Sequence, residues 1–197
     1  MKTNRTAATE RTTKETEIRL SINLDGTGQA DIATGIGFLD HMLTLLSRHS
    51  LIDLTVACKG DTEVDYHHTV EDIGLALGTA LNEALSDRAG IRRYGFFLLP
   101  MDESLCETAL DLGGRPFLVY ETSLTSTFVR DFDVKLFEEF FRAFAINARM
   151  NLHLRHRGGN EAHHAAESMF KGLARALRMA IEADPRETGI PSSKGVI

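Results

Sequence analysis

The chain has 197 residues, 43% hydrophobic and 25% charged, which is enough for one or two domains with a real core. A formal charge of −6 excludes a polyanion as the main partner, because no basic surplus exists to neutralise nucleic-acid phosphates. The two cysteines, Cys58 and Cys106, lie outside any CxxC pattern; they argue against a disulfide framework or a thiolate zinc site and read as reduced, buried thiols.

Residues 1–13 read as a loose polar arm, without the apolar segment of a secretion signal. No apolar run approaches the roughly 18 residues that a membrane helix needs, so a reducing, cytoplasmic setting is expected. Ile18, Leu20, Ile22 and Leu24 alternate with polar residues and predict a strand. Asp25-Gly26 then predicts a hairpin turn into a second strand near 29–34. A helical run over 38–46 follows Gly35 and Gly37, then a strand over 51–58, then a helix from His67 to about Leu85. Further strands are expected near 95–99, 104–112 and 116–121. A strongly apolar helix over 134–147, a strand over 150–154 and a helix from His163 to about Ala183 complete the series. The order strands, helix, strand, helix occurs twice. The expected class is α+β with two duplicated halves, 14–90 and 91–186, and a turn-like tail over 187–197.

Both helices of one kind open on the same motif: His67-His68-Thr69-Val70-Glu71 and His163-His164-Ala165-Ala166-Glu167. On a helix, adjacent histidines diverge by about 100°, so one ion cannot easily take both. The glutamate lies one turn on from each of them. Each motif can therefore offer a His-Glu pair to one cation and its second imidazole to another. His41, on the preceding helix, and His153, on the preceding strand, are candidates to complete two sites. Ligation by nitrogen and oxygen without sulfur suits manganese, with iron, cobalt, nickel and zinc as competitors. His49, near a helix end, and His156, in a basic stretch, have weaker claims.

The runs Gly35-Ile36-Gly37-Phe38-Leu39-Asp40-His41-Met42-Leu43, His67-His68-Thr69-Val70-Glu71-Asp72, Asp111-Leu112-Gly113-Gly114-Arg115-Pro116 and Pro191-Ser192-Ser193-Lys194-Gly195 together resemble the imidazoleglycerol-phosphate dehydratase family, in its monofunctional form. The resemblance implies helices packed between two four-stranded sheets. It implies dehydration of imidazole glycerol phosphate to imidazole acetol phosphate in histidine biosynthesis, with two manganese ions per active site. It also implies a homo-oligomer of 24 subunits with active sites between them. The ligand set it implies is His41, His67, His68, Glu71, His153, His163, His164 and Glu167. Phosphate contacts fall on Arg93, Arg115, Ser192, Ser193 and Lys194, with His49 and Lys171 nearby, and guanidinium forks suit a phosphate dianion. Glu15, His41, His67 and His163 are expected against the substrate, and Glu15, Glu71 and Glu167 are the catalytic candidates.

The hydrogen lost from C2 of the glycerol chain is not acidic, so the imidazole must push out the neighbouring hydroxyl before C2 gives up its proton. Glu15 is the candidate acid/base. Two other readings of the same ligands compete: a binuclear metallohydrolase of a small phosphate ester, and a non-catalytic metal-assembled shell.

Overall fold

The structure, a computed structural model, describes residues 5–197. Its first sheet contains β1 (Thr6–Thr12), β2 (Thr16–Asn23), β3 (Ala30–Ala33) and β4 (Asp53–Gly60), in the order β1-β2-β4-β3. Helix α1 (Gly37–Ser50) joins β3 to β4, and α2 (His67–Leu85) follows β4. The second half opens with β5 (Tyr94–Met101), β6 (Ser104–Asp111) and β7 (Phe117–Glu121). A short hairpin, β8 (Phe128–Val129) with β9 (Phe132–Asp133), precedes α3 (Leu136–Asn147), β10 (Asn151–Gly158) and α4 (Ala162–Ile181). The second sheet runs β5-β6-β10-β7. In each sheet the third strand of its half pairs parallel with the strand after the intervening helix, and the other pairings are antiparallel. The molecule is α+β with a duplicated topology, as the sequence predicts.

Two local expectations are corrected. The polar arm is not loose over its described part: Thr6–Thr12 pairs with β2 from Thr6↔Asn23 to Thr12↔Glu17. The segment TAATERT lacks an apolar alternation, but its threonines suit a half-buried edge strand. Residues 1–4 of the predicted arm lie outside the described residues. The hairpin at Asp25-Gly26 is also absent, because β3 pairs with β4 rather than with β2. Asp53, at the start of β4, accepts the backbone N–H groups of Thr27 at 2.8 Å and Gln29 at 2.9 Å. That capture carries the chain across β4, which sits between β2 and β3.

The four helices lie between the sheets: α2 packs on β1 and β2, α4 on β5 and β6, and the pairs α1 with α4 and α2 with α3 close the middle. Phe137, Phe140, Phe141, Phe144 and Phe170 are fully buried there, and the rings of Phe137 and Phe170 approach to 4.8 Å. Burial of each such ring stabilises by about 1.5–3 kcal/mol. The outer faces of the two sheets differ. The first exposes Glu17, Arg19, Ser21, Thr55 and Lys59. The second exposes Phe96, Leu98 and Phe117, at 69%, 58% and 59%.

Candidate active site

Both HHxxE motifs occupy the first turn of a helix, and an acidic side chain fixes each start. Asp65 Oδ1 accepts the His67 N–H at 2.7 Å, and Glu161 Oε2, at the N-cap of α4, accepts the His164 N–H at 2.7 Å. The backbone that presents the imidazoles is thus held by carboxylates that satisfy otherwise unpaired donors.

The structure brings three candidates together. His41 Nε2, from α1, donates to Glu167 Oε1 at 2.8 Å, and His163 Nε2 donates to the same oxygen at 3.1 Å. Lys171, one turn further along α4, donates to the other oxygen, Glu167 Oε2. Burial opposes ionisation of Glu167, yet hydrogen bonds from Lys171, His41 and His163 outweigh it and hold the carboxyl down to about 2. The ligand atoms of His41, His163 and Glu167 all lie within 4.8 Å of one another. Two imidazoles and one carboxylate oxygen fit a divalent transition metal, and Lys171 leaves that oxygen available.

The first motif is looser. His67 Nε2 stands 3.5 Å from Glu71 Oε2, with both side chains more than two-fifths exposed. His68 turns the other way: its Nδ1 donates to Asp61 Oδ2 at 3.0 Å, and its Nε2 lies 3.7 Å from Glu15 Oε1. In the second motif His164 Nδ1 likewise donates to Glu103 Oε2, at 2.8 Å. These hydrogen bonds raise the proton affinity of His68 and His164.

Not all candidates meet within one chain. His153 sits on the outer face of the second sheet, since its neighbours Leu152, Leu154 and His156 turn inward. It stands in a row across that face with Phe96, Ala109 and Val119. His156 is buried at 5% exposure and belongs to the core rather than to a ligand set. The expected phosphate contacts form a second locus. The Arg93 side chain bonds Asp111 at 2.6 and 3.0 Å and donates to the Pro191 carbonyl at 2.8 Å, which anchors the tail carrying Ser192, Ser193 and Lys194. Arg93 has a φ of 69°, a left-handed conformation uncommon for a side chain of this kind. Ile197 packs on Gly114, beside the exposed Arg115. The Arg93 N–H donates to the Ala180 carbonyl at 2.9 Å, and Ala180 lies 180 − 167 = 13 residues beyond Glu167 on α4. At the helical rise that separation is about 20 Å. His49 belongs to the first locus. Burial and the nearby Lys171 and Arg175 cations lower its pKa.

Sequence reasoning missed Asp61, Asp65, Glu103 and Glu161. Glu161 carries a readable signal, an acceptor just ahead of a helix start. Asp61 and Glu103 have none, because tertiary folding alone places them against the histidines.

The sequence model of the imidazoleglycerol-phosphate dehydratase family matches residues 34–177. An imidazoleglycerol-phosphate dehydratase of Acidiphilium cryptum is 56% identical over 195 residues, covering 98% of this chain and 100% of that protein. The crystal structure of imidazoleglycerol-phosphate dehydratase from Staphylococcus aureus superposes with a TM-score of 0.83 at 40% identity, covering 91% of this chain and 99% of that one. The corresponding enzyme from Pyrococcus furiosus gives 0.82 at 33% identity, covering 96% and 100%. The chain belongs to the imidazoleglycerol-phosphate dehydratase family and, with it, to the hydro-lyase enzymes.

Proposed function

We propose that this chain dehydrates imidazole glycerol phosphate to imidazole acetol phosphate and water, a cytoplasmic step of histidine biosynthesis, at metal sites shared between subunits of a homo-oligomer of 24 copies. The observation that carries the metal reading is the convergence of His41, His163 and Glu167 from two helices. The separation of the remaining candidates supports sharing. His153 lies on an outward sheet face, in an apolar row with Phe96, Ala109 and Val119, and the Arg93 locus lies about 20 Å along α4 from Glu167. A neighbouring copy seated on that face would carry His153 to a second chain's imidazoles.

In this reading the eight ligands are His41, His67, His68, Glu71, His153, His163, His164 and Glu167. Bound manganese would supply Lewis-acid polarisation of the substrate's ring nitrogens and a template for its orientation. The chain's own residues do the rest. Arg93, Arg115, Ser192, Ser193 and Lys194 hold the phosphate dianion through charge-assisted donors. Lys171 adds positive potential next to Glu167, and His49, whose proton affinity is lowered there, offers the substrate a neutral imidazole. Glu15, on an exposed turn facing His68, gives a proton to the departing hydroxyl or takes the one lost from C2. No helix among the described residues is long and apolar enough to cross a membrane.

Product analysis tests the activity. Incubation with imidazole glycerol phosphate yields a ketone with phosphate still attached. Release of inorganic phosphate without ketone would make the chain a hydrolase, and no turnover with bound metal would make it a binding shell.

A further inference from the structure

We infer that Asp61 and Glu103 are positioning residues that aim His68 and His164, the second histidine of each motif, at a divalent cation. The inference rests on the metal reading above. Asp61 Oδ2 accepts the His68 Nδ1–H at 3.0 Å, and Glu103 Oε2 accepts the His164 Nδ1–H at 2.8 Å. The first histidines behave differently. His67 and His163 face the glutamate of their own motif through Nε2, at 3.5 and 3.1 Å. Each motif thus divides its work. The first imidazole pairs with the helix glutamate, and the second is tied from behind, with its Nε2 turned outward.

The two tying carboxylates come from unlike places. Asp61 follows β4, whereas Glu103 lies in the turn between β5 and β6. In the first half the residue matching Glu103, immediately before β2, is Glu15, which stands 3.7 Å from the opposite nitrogen of His68. Duplication of the fold carried the histidines over, but it does not account for these partners. The same Nδ1 contact is made from two different loops, so the contact itself is the feature held in common.

Asp61 adds a second sign. Its Oδ1 is buried and has no hydrogen-bond partner among the described residues. Leaving a buried carboxylate oxygen idle costs stability, so His68 is the side-chain interaction that this residue serves. Its backbone N–H also donates to the Glu15 carbonyl at 3.0 Å, which couples the ring of His68 to the turn that presents Glu15. A carboxylate on Nδ1–H fixes the tautomer that leaves the Nε2 lone pair free, holds the ring plane and makes the nitrogen a better donor.

Metal-free protein titrated with Mn2+ against a chelating dye tests the assignment without reference to turnover. Glu103→Ala and Asp61→Ala are expected to weaken Mn2+ binding by about 10–100-fold. Glu103→Gln keeps an acceptor for Nδ1–H and recovers most of the loss. Asp102→Asn removes a charge 3.8 Å from His164 Nε2 without touching the Nδ1–H bond, and is expected to weaken binding by less than Glu103→Ala does. Should both alanine variants bind as tightly as the unmodified chain, the inference is overturned while the metal reading stands. An unmodified chain that binds no Mn2+ overturns both. If Asp61→Ala does not fold, the three substitutions in the exposed β5–β6 turn decide the matter.

Discussion

Glu15 is presented on a turn built for stiffness. Thr13 Oγ1 accepts the N–H groups of Glu15 at 3.1 Å and Thr16 at 3.0 Å, and the Thr16 hydroxyl donates to Asp72 Oδ2 at 2.5 Å. Asp72 in turn pairs with Arg11 at 3.0 Å, so β1, β2 and α2 share one polar knot behind the carboxylate. Glu15→Gln should leave metal content intact and lower kcat by about two to four orders of magnitude. Near-normal kcat would remove Glu15 from proton transfer. His156 makes a different prediction. Burial is the largest influence on it and lowers its pKa from 6.5, against smaller opposing effects of the Gly158 backbone and Glu103. The unfolded chain takes up this proton first, so the stability that neutral His156 contributes is present at higher pH and is lost as pH falls through the 6.5 of the unfolded chain. In metal-free protein, His156→Leu should therefore lose less thermal stability than the unmodified chain between about pH 7.5 and 5.5. Equal losses would contradict this reading. At this scale the sequence shows the doubled HHxxE at once, because helical spacing is a local property. It shows neither Asp61 nor Glu103, whose partners lie 7 and 61 residues away.

Among the elements, those with strong periodicity were legible and those defined by pairing were not. Helix α2 ends at Leu85, where the apolar spacing predicts its end. Strand β1 is not legible, because its partner supplies the hydrogen bonds that its own pattern does not advertise. The β3 pairing is hidden from local pattern because Asp53, more than twenty residues on, sets the path of the loop. The α2–α3 contact makes a prediction at this scale. A Cβ at Gly74 would stand 2.5 Å from the Phe140 carbonyl oxygen, and one at Gly78 would stand 2.6 Å from that of Phe144. Those atoms belong to backbone and cannot step aside. Gly74→Ala should thus destabilise by about 1–3 kcal/mol, despite the roughly 1 kcal/mol that alanine gains in helix propensity. A higher denaturation midpoint for the variant would show that the helices can separate without loss.

The whole molecule presents two unlike outer sheet faces, although the two halves share a topology: the first exposes charged and hydroxyl side chains, and the second sets the exposed Phe96, Leu98 and Phe117 beside the Arg155–Glu121 and Arg157–Glu107 ion pairs. An exposed row of Phe96, Ala109, His153 and Val119 places a candidate ligand inside a surface suited to burial against another protein. Phe96→Glu should yield smaller particles in sedimentation and lower activity together. Full-sized, fully active particles would separate this face from assembly. The ligand set as a whole was legible in the sequence only through the family resemblance. Within one chain the folding brings three of its members to a common point and leaves His153 on the far side of a sheet.

The most direct measurement is elemental analysis of active, purified protein, repeated for His68→Ala with His164→Ala. Imidazoles and carboxylates drawn from both halves should retain two transition-metal ions per chain, and the double substitution should remove metal and catalysis together. Full catalysis by protein that contains no transition metal, or by the doubly substituted chain, would contradict the account.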